Sequence, residues 1–274
     1  MQKYLILLLL AISFSSAVHA EQLPNKSVFG TLPEVPIPAR HDFTALPGPL
    51  HLLLRSQVMQ QPITNIPASA SGTIAFVNKA QCAALGGCTT TGVSMTGANL
   101  CVIALTYDQS TAGAVSSSPA NTWVPGTATY ASASTKTQIF WAYAPTVSGS
   151  MTFTTTNLAT VLNASCWSGT VGSTVDQQNG GIGSVVTSFA PGSVTPTSPN
   201  ELVISIVSVN LNVTPPTGFS ASGYTLLFST AYTNGTNYGS GAGYLIQTTA
   251  AATNPLWMWT NTSSDVSGAN ATFK

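Results

Sequence analysis

The sequence predicts an all-β protein, an antiparallel β-sandwich of the jelly-roll or Ig-like kind in a single domain. Short runs rich in Thr, Val, Ile and aromatic residues recur from Ser71 to Lys274, separated by Gly, Asn and Pro. No run in this region has the apolar spacing of a helix, and no exact internal repeat occurs. With 44% hydrophobic residues, the chain can bury a sizeable core. We therefore expect one sandwich over residues 71–274.

The first twenty residues, MQKYLILLLLAISFSSAVHA, have the pattern of a secretory signal peptide. Lys3 provides a basic start, an apolar run follows, and the small residues Val18 and Ala20 suit cleavage after Ala20. The apolar run is too short for a stable membrane span. Residues 1–20 are therefore predicted to be removed, which leaves a secreted protein (extracellular, cell-surface or periplasmic) without a membrane span.

Residues 21–70 are predicted to form a proline-rich arm or linker before the sandwich. The segment holds eight prolines and about half of the charged residues outside the signal peptide. Proline fixes φ and disfavours helix in the residue before it, so most of the segment should be extended. A terminal propeptide is an alternative interpretation of the same residues.

The body of the sandwich is predicted to contain about twelve strands. In order, they are expected at 73–77, 91–97, 99–107, 127–131, 137–144, 150–156, 160–167, 184–189, 201–209, 224–232, 241–249 and 255–260. The runs 99–107 and 201–209 are apolar on both faces, as central strands are. The dipeptide Asn234-Gly235 between two strand-like runs predicts a hairpin.

The four cysteines predict two disulfides, because an exported chain matures in an oxidising compartment. Cys82 and Cys88 flank a short loop that a local bridge would close. Cys101 and Cys166 lie on the inward faces of two strands and should meet across a core. We expect the pairs 82–88 and 101–166, the second worth roughly 4 kcal/mol on the loop-entropy model. Buried free thiols are the alternative, whereas the spacings do not fit a zinc site.

Charge is scarce in this chain. Charged residues make up 5% of the sequence, against roughly 25% in an average globular protein, and the net charge is zero. Nucleic acids and anionic membranes attract clustered Lys and Arg, so neither is expected as a partner. Solubility must depend instead on the abundant Ser, Thr, Asn and Gln.

Few residues in the body are able to perform catalysis. No His or Arg follows Ser71, so a Ser-His-Asp or Cys-His arrangement is not expected within the sandwich. Asp176 and Glu201 are the acids that a carboxylate-pair glycosidase would use. Asp176, in a flexible-looking loop beside amide side chains, is also the candidate ligand for a calcium ion; no other cofactor is expected.

The aromatic residues supply the candidate binding surface. Trp257 and Trp259 share one face of their strand, and Leu256 and Met258 share the other. If the tryptophans face solvent, they form a platform on which successive sugar rings stack; if they face inward, they anchor the core. Both faces are apolar, so periodicity leaves the alternatives open. A second pair of this kind is formed by Trp141 and Tyr143.

Several of these runs occur in an order that resembles a known β-sandwich module. They are CVIALTY, NTW (121–123), QIFWAYA, SMTFTTT, CWSG (166–169) and SPNELVISIVSV (198–209). The order is similar to a module that recurs in exported bacterial proteins and phage-like structural proteins. The resemblance covers roughly residues 73–248, implies a jelly-roll or Ig-like sandwich in an interaction or surface role, and transfers no site residues.

From these observations we expect an exported, non-enzymatic sandwich that binds or adheres at the cell surface, with a glycan as the first ligand class. The first alternative is a structural surface protein that assembles with copies of itself, because exposed strand edges with few charges favour pairing. The second alternative is a secreted carbohydrate-active enzyme that uses the carboxylate pair of Asp176 and Glu201.

Overall fold

The computed structural model describes residues 72–274 apart from 109–111, 127–128, 131–134, 212–213, 215, 235 and 264. The predicted signal peptide and the arm at 21–70 lie outside the described residues. The residues that the structure describes form strands and no helix, so none of their elements is a helix long and apolar enough to cross a membrane. The prediction of an all-β antiparallel sandwich is confirmed.

The first half of the body forms two antiparallel sheets. The inner sheet of this half has the order β1-β9-β3-β7-β5, with β6 also paired to β7, and the outer sheet has the order β2-β8-β4. The strands are β1 (Ala75–Ala84), β2 (Cys88–Thr89), β3 (Leu100–Tyr107), β4 (Val115–Ser118), β5 (Val124–Pro125), β6 (Thr129–Tyr130), β7 (Lys136–Tyr143), β8 (Thr152–Thr155) and β9 (Thr160–Ser168).

The second half forms two further antiparallel sheets. Its inner sheet has the order β10-β17-β12-β15-β14, and its outer sheet has the order β11-β16-β13. The strands are β10 (Gln178–Ser184), β11 (Ser188–Phe189), β12 (Glu201–Leu211), β13 (Ser220–Ala221), β14 (Thr225–Asn234), β15 (Thr236–Gln247), β16 (Trp257–Met258) and β17 (Asp265–Phe273).

The two halves have the same topology. If β5 and β6 are counted as one split strand, each half has eight strands. The inner sheet then has the order 1-8-3-6-5, and the outer sheet 2-7-4, in both halves. This is the strand order of a jelly roll whose fifth strand has joined the inner sheet. The single predicted sandwich is therefore a tandem of two jelly rolls, which lie within one compact unit.

The four sheets stack in layers with three apolar cores between them. The central core joins the two inner sheets, and in each half a further core joins the inner sheet to its outer sheet. Both faces of each inner sheet are thus covered. This arrangement explains why β3 and β12 are apolar on both faces, since each strand contributes alternate side chains to two different cores.

The central core has approximate two-fold character. Leu100, the first inward residue of β3, lies opposite Trp167 on β9, and Leu202 on β12 lies opposite Phe273 on β17. Trp167 and Phe273 therefore occupy equivalent positions in the two halves. The repeated strand order explains this correspondence.

The aromatic contacts across the central core repeat in the same way. Trp141 of the first half meets Phe273 of the second with ring centroids 5.9 Å apart, and Tyr244 of the second half meets Trp167 of the first at 4.7 Å. The interplanar angle is 64° in both pairs, an edge-on arrangement that aromatic rings prefer. The halves thus bury equivalent surfaces against each other.

Both predicted disulfides are present. Cys82 is bonded to Cys88, and Cys101 is bonded to Cys166. Cys101 and Cys166 are direct cross-strand partners on β3 and β9, and both face the core between the inner and outer sheets of the first half. The pairing follows from their inward position on adjacent strands.

The predicted strands differ from the observed ones mainly at the outer sheets and at β10. The predicted strand at 91–97 is reduced to one isolated bridge at Val93, and the one at 184–189 spans the last residue of β10, a bend and all of β11. The glycine-rich strand β10 was not predicted, because glycine provides no alternating side-chain pattern. The hairpin at Asn234 is confirmed, since β14 ends there and pairs with β15 from Thr236, although Gly235 lies outside the described residues.

Candidate functional site

Trp257 and Trp259 are buried, so of the two alternatives that the sequence left open, the exposed sugar-stacking platform is wrong. Trp257 is 0% exposed, packs in the core between the sheets of the second half, and donates from Nε1 to Ser205 Oγ at 2.8 Å. The alternate side chains Leu256 and Met258 are about half exposed. The tryptophans are core anchors.

Strand β15 of the inner sheet explains why the side chain of Trp257 points inward. Gly241 and Gly243 on β15 face the outer sheet, where an added Cβ would lie 2.7 Å and 3.4 Å from the ring of Trp257. The missing side chains leave room for a large ring close to the backbone. Phe219 also packs closely on Gly241: the Cβ of Phe219 lies 2.9 Å from the place that a Cβ on Gly241 would occupy.

The second aromatic pair also belongs to a core. Trp141 is buried, and Tyr143 is half-buried against the central core. Burial raises the pKa of the Tyr143 hydroxyl far above its ordinary value, and the negative charges of Glu201 and Asp176 raise it further. Neither ring lies on an exposed surface, so the expectation that Trp141 and Tyr143 form a binding platform is also wrong.

A polar row crosses one end of the second half's inner sheet. Glu201 at the start of β12 pairs with Gln247 on β15, and Lys274 follows β17 directly. The ammonium of Lys274 lies 2.7 Å from Asp176 Oδ1 in an ion pair. The structure thus brings together Asp176 and Glu201, which are 25 residues apart in the chain (201 − 176). Sequence reasoning missed Lys274 and Gln247, whose roles depend on the strand register.

Asp176 is held in its ionised form. Its carboxylate accepts bonds from the Thr197 amide at 2.8 Å and the Thr197 hydroxyl at 2.7 Å, in addition to the ion pair with Lys274. Burial opposes ionisation, but these donors outweigh it and lower the pKa of Asp176 from 3.8 to about 2. The same contact with Asp176 raises the pKa of Lys274.

Glu201 has the opposite environment. It is 1% exposed, its Oε1 accepts a bond from the Ser198 amide at 2.9 Å, and its Oε2 is buried with no hydrogen-bond partner. Burial raises the pKa of Glu201. The Ser198 amide opposes this effect, and the charge of Asp176 adds to it. Two neighbouring acids therefore have pKa values shifted in opposite directions.

A cavity of about 120 Å³ opens beside this row. Its walls combine the apolar side chains of Ile74, Val171 and Pro199 with the polar residues Ser198, Asn200, Glu201 and Lys274. Glu201 borders the cavity, and Asp176 is not among its lining residues. A glycosidase pair acts on a sugar placed between the two carboxyl groups, and this cavity does not lie between Asp176 and Glu201.

The calcium ion considered for Asp176 stays a prediction. Both oxygens of Asp176 already accept hydrogen bonds from Thr197 and Lys274. Among the residues that the structure describes, no group of three or more His, Cys, Asp or Glu side chains could hold a metal ion. A calcium ion at Asp176 would have to displace the ammonium of Lys274 and take the remaining ligands from backbone and amide oxygens.

Comparison with known proteins adds no relative: no family model, no curated protein and no solved structure matches this chain. The resemblance to exported surface modules stays a prediction.

Proposed function

We propose that this protein is an exported, non-enzymatic surface module in which two copies pair through the edge strand β10, and that this dimer is the building unit of a fibre or coat. The observation that supports the proposal is a difference between the two sides of the molecule at which the edge strands of the packed inner sheets lie. One side is closed by side chains that link its two edge strands, whereas the other side exposes an uncharged strand.

The closed side lies where β1 of the first half meets β14 of the second. Lys79 on β1 donates from its ammonium to the carbonyl oxygen of Leu227, and Gln81 donates from its amide to the hydroxyl of Thr230. The ammonium of Lys79 also lies 4.8 Å from the ring centroid of Phe228. A lysine on an edge strand is a known device against edge-to-edge pairing.

The other side includes the outer edge of β10. Among the described residues β10 pairs only with β17, and no charged residue occurs from Gln177 to Asn200. Ile182 on this strand is 55% exposed. A strand edge that has an exposed apolar side chain and no guarding charge is a template for another strand.

Val185, which follows β10 directly, supports the same interpretation. Its φ is +53°, a region that a β-branched residue rarely adopts, and its side chain is 73% exposed. Backbone strain of this kind costs on the order of 1–3 kcal/mol and is concentrated at functional sites. A strained, exposed valine at the end of an open edge is consistent with a contact surface.

A second copy of this chain is the partner that fits the edge. Antiparallel pairing of β10 with β10 across a two-fold axis is self-complementary, because each strand presents the same residues to the other. The strand carries no charge that would select a partner of opposite charge. Export is supported by the two disulfides, which are typical of oxidising compartments.

Sedimentation velocity over a concentration series tests this proposal. The parent chain should form dimers or larger species, and Ile182→Lys should shift the apparent dissociation constant upward by at least about tenfold, since a lysine would add like charge on both copies. Leu158→Lys is the matched control, because Leu158 is 53% exposed and lies outside β10.

Val185→Gly provides a second variant that separates folding from assembly. Glycine adopts a positive φ without strain, so this variant should unfold at a higher temperature than the parent while it associates more weakly. A parent chain that stays monomeric at the highest concentration, or association that Ile182→Lys and Leu158→Lys weaken equally, would refute β10 as the assembly surface.

Glycan binding is the second candidate, and the cavity beside Glu201 is the observation that favours it. Its apolar wall suits the C–H face of a sugar, and Ser198, Asn200 and Lys274 are polar groups able to contact hydroxyls. A pull-down on soluble and insoluble polysaccharides tests this function. Val171→Trp should fill the cavity and abolish binding, whereas Leu158→Trp should leave it unchanged; equal binding by both variants would exclude the cavity.

A further inference from the structure

Several asparagines of this chain stand in the acceptor pattern for N-linked glycosylation, Asn-X-Ser or Asn-X-Thr with X other than proline. They are Asn25, Asn163, Asn212, Asn234, Asn261 and Asn270. A glycan is bulky and hydrophilic, so the acceptor asparagine of a glycosylated protein belongs in a surface loop. The structure describes the side chains of Asn163, Asn261 and Asn270. The burial of these three side chains determines where the fold has room for a glycan.

Asn163 lies in the central core between the two inner sheets. It stands on β9, between β1 and β3, and is 2% exposed. Its Oδ1 accepts a bond from Gln81 Nε2 at 2.8 Å, and its Nδ2 donates to Ser240 Oγ on β15 at 3.4 Å. Nδ2 is the atom that would carry the sugar, and here it faces the other half of the molecule. Packed sheets lie about 10 Å apart and side chains fill the gap, so a sugar on Nδ2 would separate the two halves.

Asn270 lies in a different core, between the inner and outer sheets of the second half. It stands on β17 opposite Ser205, is 1% exposed, and donates from Nδ2 to the carbonyl oxygen of Gly192 at 2.6 Å. The covering segment packs closely on this face of β17. A Cβ on Gly268, two residues before Asn270, would lie 2.8 Å from Pro191 Cγ. A sugar on Asn270 would therefore displace the segment that contains Pro191 and Gly192.

We infer that this chain folds in a compartment that forms disulfides but does not attach glycans to asparagine. An oligosaccharyltransferase replaces one hydrogen of Nδ2 with a sugar from a lipid-linked donor, whose pyrophosphate leaves, and it acts on chains that are still extended. Asn163 would thus be modified before the sheets could pack around it. The two disulfides require an oxidising compartment. Together these features specify an export route without an oligosaccharyltransferase.

The inference rests on the export that the proposed function includes, and it does not depend on pairing through β10. A chain that stays monomeric in sedimentation would refute the pairing and leave this inference standing. A glycosylated chain would refute this inference and leave the pairing standing.

Asn261 provides the contrast within the same chain. It is exposed in the turn between β16 and β17, where its Nδ2 donates to the hydroxyl of Thr214 at 3.0 Å. A glycan on Asn261 would extend into solvent and leave every core intact. The same modification should therefore block folding at Asn163 and be tolerated at Asn261.

The intact mass of the protein from its own source tests the inference directly. It should equal the mass of the unmodified polypeptide with both disulfides formed. Peptide mapping that finds hexose or hexosamine on any of the acceptor asparagines would overturn the inference.

Expression of the full chain in a host whose secretory pathway glycosylates asparagine tests the physical argument. The parent should accumulate inside the cell as a glycosylated, unfolded chain. Tunicamycin, which blocks synthesis of the glycan donor, should raise the amount of folded, secreted protein at least about tenfold, because cells degrade chains that cannot fold. This comparison uses the parent alone. Equal amounts of folded protein with and without tunicamycin would overturn the inference, since the glycan would then not decide folding.

Two variants in the same host locate the effect. The double variant Asn163→Gln, Asn270→Gln removes both buried acceptors and should be secreted without tunicamycin, with glycans on its remaining acceptors. Asn261→Gln is the matched control and should stay inside the cell like the parent. Secretion that rises equally in the double variant and in Asn261→Gln would show that burial of the acceptor does not matter.

Discussion

At the scale of single residues, the sequence placed the tryptophans on a common face but did not determine which way that face points. Leu256 and Met258 on the other face are also apolar, so periodicity gives the same pattern for both orientations. Two features outside the strand determine the orientation. Ser205 accepts the bond from the indole of Trp257, and the glycines of β15 leave space for its ring. Only the register between strands shows these contacts.

Replacement of Trp257 tests the core assignment. Trp257→Ala should lower the free energy of unfolding by about 3–5 kcal/mol, since it leaves a large cavity and removes the donor to Ser205. Met258→Ala, one residue away and 51% exposed, should change it by less than about 0.5 kcal/mol. Chemical denaturation measures both. The reverse order of the two effects would mean that the tryptophan faces solvent.

At the scale of elements, strands rich in β-branched residues were predictable and glycine-rich or very short strands were not. The runs at 99–107 and 201–209 correspond to β3 and β12, because their continuous apolar character reflects burial on both faces. The outer-sheet strands β2 and β13, which no predicted strand covers, contain two residues each, too few for any alternation to be recognised. Packing against the inner sheets, rather than local propensity, defines them.

The candidate site, like the strands, could be predicted only in part from the sequence. Asp176 and Glu201 were identified as the acids of interest from residue type and surroundings, and the structure does place them in one polar row. Lys274 and Gln247 join them only through the pairing of β12 with β17 and β15. Lys274 favours the ionised form of Asp176, and Gln247 lies opposite Glu201; both arrangements depend on strand pairing between residues far apart in the sequence. Neither the lowered pKa of Asp176 nor the raised pKa of Glu201 was therefore predictable from the sequence.

At the scale of the whole molecule, the repeated strand order is a property of topology that the residues do not display. Trp167 and Phe273 occupy equivalent positions, as do Trp141 and Tyr244, yet each pair shares only aromatic character. A core requires volume and apolarity rather than identity, so equivalent positions can diverge while the strand order persists. Both disulfides lie in the first half, which is a further difference between the two halves.

The central core predicts that the two halves unfold as one unit. Phe273 of the second half is 0% exposed and packs against Trp141 of the first, so Phe273→Ala should destabilise both halves by a similar amount, about 3–5 kcal/mol. Hydrogen exchange resolved by strand measures this: protection of β3 and β12 should fall together, and Leu256→Ala, at an exposed position, should affect neither. If only β12 loses protection, each jelly roll is stable by itself, and the interface between the inner sheets contributes little to folding.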